Sequence, residues 1–282
     1  MPESRVPYEL IYSQHGLPAA SAFRKITSGL RMRPSLFIVG AQKAGTTSLA
    51  GYLSGVPGII PPHEKEISYF NNDSRFLLGE NWYRSFFASN FIKNKIERKT
   101  GIPHITYDAT ANYFEEIKTA ERIKKFDPAA KVIVVLRNPG NRAWSHYKMA
   151  VKYGFEKSTF RDALDKEAER ILSNTAEHNF AFQRLGYRVK GEYMQFLPAW
   201  MDAFGKNILV VFFEELFSDS TLRLQEIHDF LQLKTAPGLE KLKQLNKGSE
   251  DQLNADDRDL LNAHYERFNK ELALYLKRDL PW

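Results

Sequence analysis

The chain contains no cysteine. That excludes disulfides, thiolate nucleophiles and cysteine-ligated zinc. It also lacks any apolar run near the ~18 to 20 residues needed to span a bilayer, and its opening, MPESRVPYELIYSQHGLPAA, has no signal-peptide core. The expectation is a cytoplasmic protein without an integral membrane segment. No repeat, low-complexity tract or Pro/Gly/Ser-rich linker divides the 282 residues. The simplest organisation is one domain over residues 35–282. An N-terminal extension, residues 1–34, precedes it and carries Arg24, Lys25, Arg31 and Arg33. Charge of one sign is also scarce, since 40 Lys+Arg against 34 Asp+Glu leave only +6. That balance suits anionic ligands and gives no nucleic-acid-binding signature.

Three continuous apolar runs are present: LFIVG from Leu36, KVIVVLR from Lys131 and ILVVFF from Ile208. Runs without alternation are expected of parallel strands covered on both faces. HITYDAT, His104 to Thr110, is a weaker fourth candidate. Helical spacing follows the T-x-x-D signal at Thr159 and Asp162, recurs in Leu224, Ile227, His228 and Leu231, and appears again after Asn254 in Leu261, Tyr265, Phe268 and Leu272. Pro198 predicts a kink or break in GEYMQFLPAWMDAF. Strand, loop and helix repeating in this order predict an α/β fold, a P-loop-like three-layer arrangement with a mostly parallel central sheet flanked by helices.

The first strand runs into AQKAG and then a helix, TTSLAGYL. A glycine-bearing loop in this context aims backbone N–H groups and the positive end of a helix at a phosphate. Gly40 and Gly45 have P-loop spacing, but Lys43 precedes Gly45, and Thr46 stands where the loop's lysine belongs. No acidic residue ends KVIVVLR, so the metal-holding partner of a nucleotide kinase is missing as well. The loop suits a phosphate, with Lys43, Ala44, Gly45, Thr46, Thr47 and Ser48 as its binding residues, and the case for a metal is poor.

The order K-x-G-T-T-S after a first strand resembles the 5′-phosphosulfate loop of sulfotransferases that use 3′-phosphoadenosine 5′-phosphosulfate (PAPS). A second segment, VIVVLRNPGNRAWSHY, resembles the 3′-phosphate motif of that family, which places Arg137 and Ser145 on the nucleotide. A planar guanidinium and a hydroxyl one turn into a helix are chemically suited to it. A third, PPHEKEISYF, is similar to the K-E segment of the heparan sulfate type. That resemblance implies Glu66 as general base beside Lys65, and His63 is the rival base. It further implies that Lys43 stabilises the leaving 5′-phosphate. Tyr193 of the G-x-Y helix and Lys247 with Gly248 of LNKGSEDQLN are implied nucleotide contacts, although Glu250 and Asp251 make that last loop less basic than its counterparts. Lys65, Asp108 and His104 are candidate acceptor contacts.

The implied reaction is transfer of a sulfuryl group from PAPS to a hydroxyl or amine, with a carbohydrate or glycolipid as the first acceptor class and a small alcohol or polyketide as the alternative. Two other readings are a P-loop phosphotransferase acting on a small molecule and an anion-docking module built on the basic N-terminal residues.

Overall fold

The computed structural model describes residues 22–173, 180–233, 242 and 253–282. Lys247 and Gly248 lie outside these residues. Five strands, β1 (Leu36–Gly40), β2 (Ile59–Ile60), β3 (Ile105–Ala109), β4 (Lys131–Leu136) and β5 (Ile208–Phe212), form one sheet in the order β2-β3-β1-β4-β5. All four pairings are parallel. Val132–Leu136 and Leu36–Val39 are wholly buried, which is why these strands are continuous apolar runs. Helices cover both faces of the sheet, as parallel crossovers demand.

The chain leaves β1 toward one side of the sheet and crosses after β3 to the other, so a crevice opens at the carboxyl ends of the central strands. Ligands of open α/β sheets bind at such a reversal. Each loop leaving that edge is fixed by local sequence. Gly45 has φ +93° and starts the helix Thr46–Leu53; a Cβ added there would lie 2.8 Å from the Phe213 ring. After β4, Asn138 caps the helix Pro139–Lys152 by accepting from the Asn141 N–H, and Pro139 occupies the first turn, where its missing N–H goes unneeded.

Pro198 acts in the same way. The segment breaks ahead of it, and no helix is kinked: a 3-10 turn at Tyr193–Gln195 ends and Pro198 sits in the first turn of Leu197–Phe204. The helix Ser220–Leu231 buries Leu224, Ile227, His228 and Leu231. The long helix Ala255–Leu276, capped by Asn254, buries Leu261, Tyr265 and Leu272, with Phe268 packed at the margin. Its Leu261 and Tyr265 join Ala143, Ala150, Phe160 and Tyr187 in a second apolar cluster that pins the Pro139–Lys152 helix from outside. Residues 22–34 pack on the domain: Arg24 and Arg31 both donate to the Phe87 carbonyl, and Met32 is in the core. Among the described residues no helix is long and apolar enough to cross a membrane.

Candidate active site

The loop after β1 and the strand end of β4 meet at one edge. The Arg137 Nη1 donates to the Lys43 carbonyl at 3.1 Å, and its guanidinium lies 4.3 Å from the centre of the Phe213 ring. Its backbone is held too: Tyr193 Oη donates to the Arg137 carbonyl at 2.7 Å. Glu214, just past β5, accepts from the Asn138 N–H and adds a nearby negative charge. The Arg137 Nε is buried with no hydrogen-bond partner. A fixed guanidinium whose buried Nε–H is unmet is suited to an anion, because such a donor is costly to bury without a partner. Ser145, half-buried, is in the second turn of the following helix.

Lys43 and Glu66 both adopt left-handed backbone angles, with φ +70° and +57°. For non-glycine residues this conformation is strained and is retained where surrounding contacts impose it. At Glu66 those contacts are explicit. Its N–H donates to the Ala109 carbonyl at the end of β3, and its Oε2 accepts from the Ala111 N–H at 2.9 Å. Its side chain is still 16% exposed, so a second reactant can reach it. Burial pushes its carboxyl up to about 8, the Ala111 hydrogen bond opposes this, and the charges of Asp108 and Glu115 reinforce it.

Lys65 joins this carboxylate to the loop. Its ammonium is 3.4 Å from Glu66 Oε1 and donates to Thr47 Oγ1 at 2.9 Å. Burial pulls it down to about 7, against the attraction of Asp108. Ala44, Thr46 and Ser48 are buried within the loop and first helical turn. The Ser48 and Leu49 N–H groups bond the Gly45 carbonyl, and the N–H groups ahead of them have no earlier helical turn to accept them. His63 is exposed, and its N–H donates to the Phe86 carbonyl.

Three sequence expectations change. Asp108 is fully buried and cannot touch an acceptor. Its Oδ2 accepts from Tyr83 and Tyr113, each at 2.9 Å, and its Oδ1 accepts from Thr110 at 2.8 Å. It is the hub that fixes the segment carrying Ala111. His104 precedes β3 at the amino edge of the sheet, ~13 Å along the strand from Asp108 at about 3.3 Å per residue. There its Nδ1 is 2.7 Å from the Ile102 carbonyl, away from the crevice. Tyr193 is 2% exposed, with its hydroxyl engaged by the Arg137 backbone, so it supports the arginine and does not line the crevice.

The sequence reading also missed Gln42, Glu115, Lys190, Phe213 and Glu214. Only Glu214, in the FFEEL that follows β5, had a local signal, as a charge at a strand's carboxyl end. The aromatic segment with Trp82, Tyr83, Phe86 and Phe87 is core.

A parallel five-stranded sheet with a glycine loop after β1 and an arginine at the end of β4 bonded to that loop places the chain among P-loop-like α/β folds. The chain matches the family described as Sulfotransferase domain over residues 33–268 and belongs to it. The human bifunctional heparan sulfate N-deacetylase/N-sulfotransferase 2 is 28% identical over 206 residues, covering 70% of this chain and 22% of that protein. The mouse heparan sulfate glucosamine 3-O-sulfotransferase 5 is 26% identical over 201 residues, covering 71% of this chain and 54% of that protein. The match therefore spans about a fifth to a half of the length of these relatives. A solved sulfotransferase from Alicyclobacillus acidocaldarius superposes with a TM-score of 0.69 at 28% identity, covering 88% of this chain and 97% of that one.

Proposed function

We propose that this domain transfers the sulfuryl group of PAPS to a hydroxyl or amine of a carbohydrate-type acceptor, with Glu66 as general base and Lys43 stabilising the departing 5′-phosphate. The observation that carries the proposal is the chain of contacts from Glu66 through Lys65 to Thr47, which ties a reachable carboxylate to the first turn after the glycine loop. PAPS supplies an activated S–O bond: the acceptor forms a new bond to sulfur while the bond to the 5′-phosphate oxygen breaks, and the electron pair leaves on that phosphate.

Glu66 takes the acceptor proton on a carboxylate oxygen. Its raised affinity for a proton suits that task, because a base works best when its pKa is near the working pH. Lys43 contributes a positive charge from within the loop, at the developing negative charge on the leaving oxygen. Arg137 and Ser145 hold the 3′-phosphate, and the loop N–H groups hold the 5′ end. A carbohydrate acceptor is supported by the K-E segment at Lys65 and Glu66 and by relatives named for heparan sulfate.

Radiolabelled PAPS with a panel of glucosamine-containing polysaccharides, glycolipids and small alcohols tests the acceptor class. Transfer to small alcohols alone would remove the carbohydrate reading. In the same assay Glu66→Gln and Lys43→Ala abolish turnover, while Glu66→Gln binds adenosine 3′,5′-bisphosphate within about threefold of the parent, since it touches no phosphate. Undiminished turnover by Glu66→Gln would move the base elsewhere, with His63 the next candidate. Thermal stabilisation by ATP with Mg²⁺ and none by adenosine 3′,5′-bisphosphate would favour a phosphotransferase instead.

A further inference from the structure

Lys190 is a buried cation that the reaction as described does not use. It is 1% exposed, in the 3-10 turn Val189–Gly191, and its ammonium donates to Gln42 Oε1 at 3.0 Å and to the Gln183 carbonyl at 3.3 Å. Gln42 is the residue before Lys43 in the donor loop. The ammonium is also 3.9 Å from Glu115 Oε1, and the Glu115 carboxylate is buried with neither oxygen hydrogen-bonded. A buried lysine that reaches a loop amide, beside a carboxylate with unmet lone pairs, costs desolvation that a purely structural contact does not require.

Its position explains what that cost supports. Glu115 follows the Ala111–Tyr113 turn, whose first N–H holds Glu66. Lys190 is three residues before Tyr193, which holds the Arg137 backbone. Its turn is anchored by the Tyr265 hydroxyl, which donates to the Arg188 carbonyl at 2.8 Å. Gly191 is needed for that packing, because a Cβ there would lie 2.6 Å from the Tyr265 oxygen and 2.9 Å from Pro139. One side chain therefore joins three segments that sequence separates: the donor loop, the base-holding turn and the arginine support.

We propose that Lys190 is a positioning residue for the 5′ side of the donor site, holding the loop through Gln42 in the conformation that receives the 5′-phosphate. It touches no reacting atom and acts only through Gln42. The reading rests on the family's PAPS donor, and the test separates the two. Binding of adenosine 3′,5′-bisphosphate and of adenosine 3′-monophosphate is measured by calorimetry or competition for the parent chain, for Lys190→Met/Glu115→Gln and for Gln42→Leu. The double variant removes both buried charges together, and Gln42→Leu breaks the same contact from the loop side without stranding a charge.

Both variants are expected to lose about tenfold in affinity for the bisphosphate and less than twofold for the 3′-monophosphate, so the parent's preference for the 5′-phosphorylated ligand collapses. General loosening of the fold would weaken both ligands alike, and that result overturns the proposal. An unchanged preference in Gln42→Leu overturns it as well, even if the double variant fails to fold. Absence of bisphosphate binding in the parent chain would instead remove the donor assignment itself.

Discussion

Replacing Glu66 with glutamine removes a titrating group while keeping its shape, and the consequence for stability follows from its surroundings. The carboxyl is raised from an ordinary 4.5 to about 8, chiefly by burial. The folded protein thus binds this proton more tightly than the unfolded chain does. The stability this contributes is complete below about pH 4.5 and is lost as the pH rises through about 8. A shift of ~3.5 pH units at ~1.4 kcal/mol each sets a ceiling of ~5 kcal/mol. Relaxation and water access at a side chain that is 16% exposed lower this to ~2–3 kcal/mol. Glutamine accepts the same Ala111 N–H bond and stays neutral. Lys65 titrates in both proteins and cancels to first order. Glu66→Gln should therefore gain stability relative to the parent as the pH is raised from 5 to 9. The gain corresponds to about 5–10 °C in Tm for a domain of this size, read by thermal melts of ligand-free protein. A stability gap that stays constant over that range, or one that moves in favour of the parent, would refute the reasoning.

Arg137→Lys should lower affinity for adenosine 3′,5′-bisphosphate by about 10- to 100-fold, because an ammonium cannot both stack on Phe213 and bond the Lys43 carbonyl while presenting a second donor. Calorimetry reads this, and a loss under threefold would deny the arginine its role. Gly45→Ala should destabilise by about 1–3 kcal/mol through its left-handed backbone and the approach to Phe213. Adding Phe213→Leu should recover only the steric part, so full recovery of the melting temperature would show that the backbone angle costs nothing.

What could be read from sequence was local. The strand runs, the helix start at Asn254 and the loop around Lys43 are signalled by neighbouring residues, and Arg137, the cap Asn138 and the helix holding Ser145 follow one another in one short stretch. β2 was not legible, because two residues, Ile59–Ile60, have no period. Nor were the roles of Asp108 and Tyr193: both face partners distant in sequence, Tyr83 for the first and Arg137 for the second, so their burial is a tertiary result. His104 illustrates a related error, since closeness to Asp108 in sequence becomes separation when the intervening residues are an extended strand. The contact of Lys190 with Gln42 spans 148 positions and left no local trace.

The hydrogen bond from Arg137 to the Lys43 carbonyl also bears on how the enzyme tells donors apart. Because the arginine we propose for the 3′-phosphate also grips the backbone of the loop we propose for the 5′ end, ordering at one end would lower the entropic cost at the other. By reciprocity the two ends tighten each other by the same factor. An adenylate bearing sulfate but no 3′-phosphate would then forfeit cooperativity as well as a contact, and would sit in a loop less ready to react.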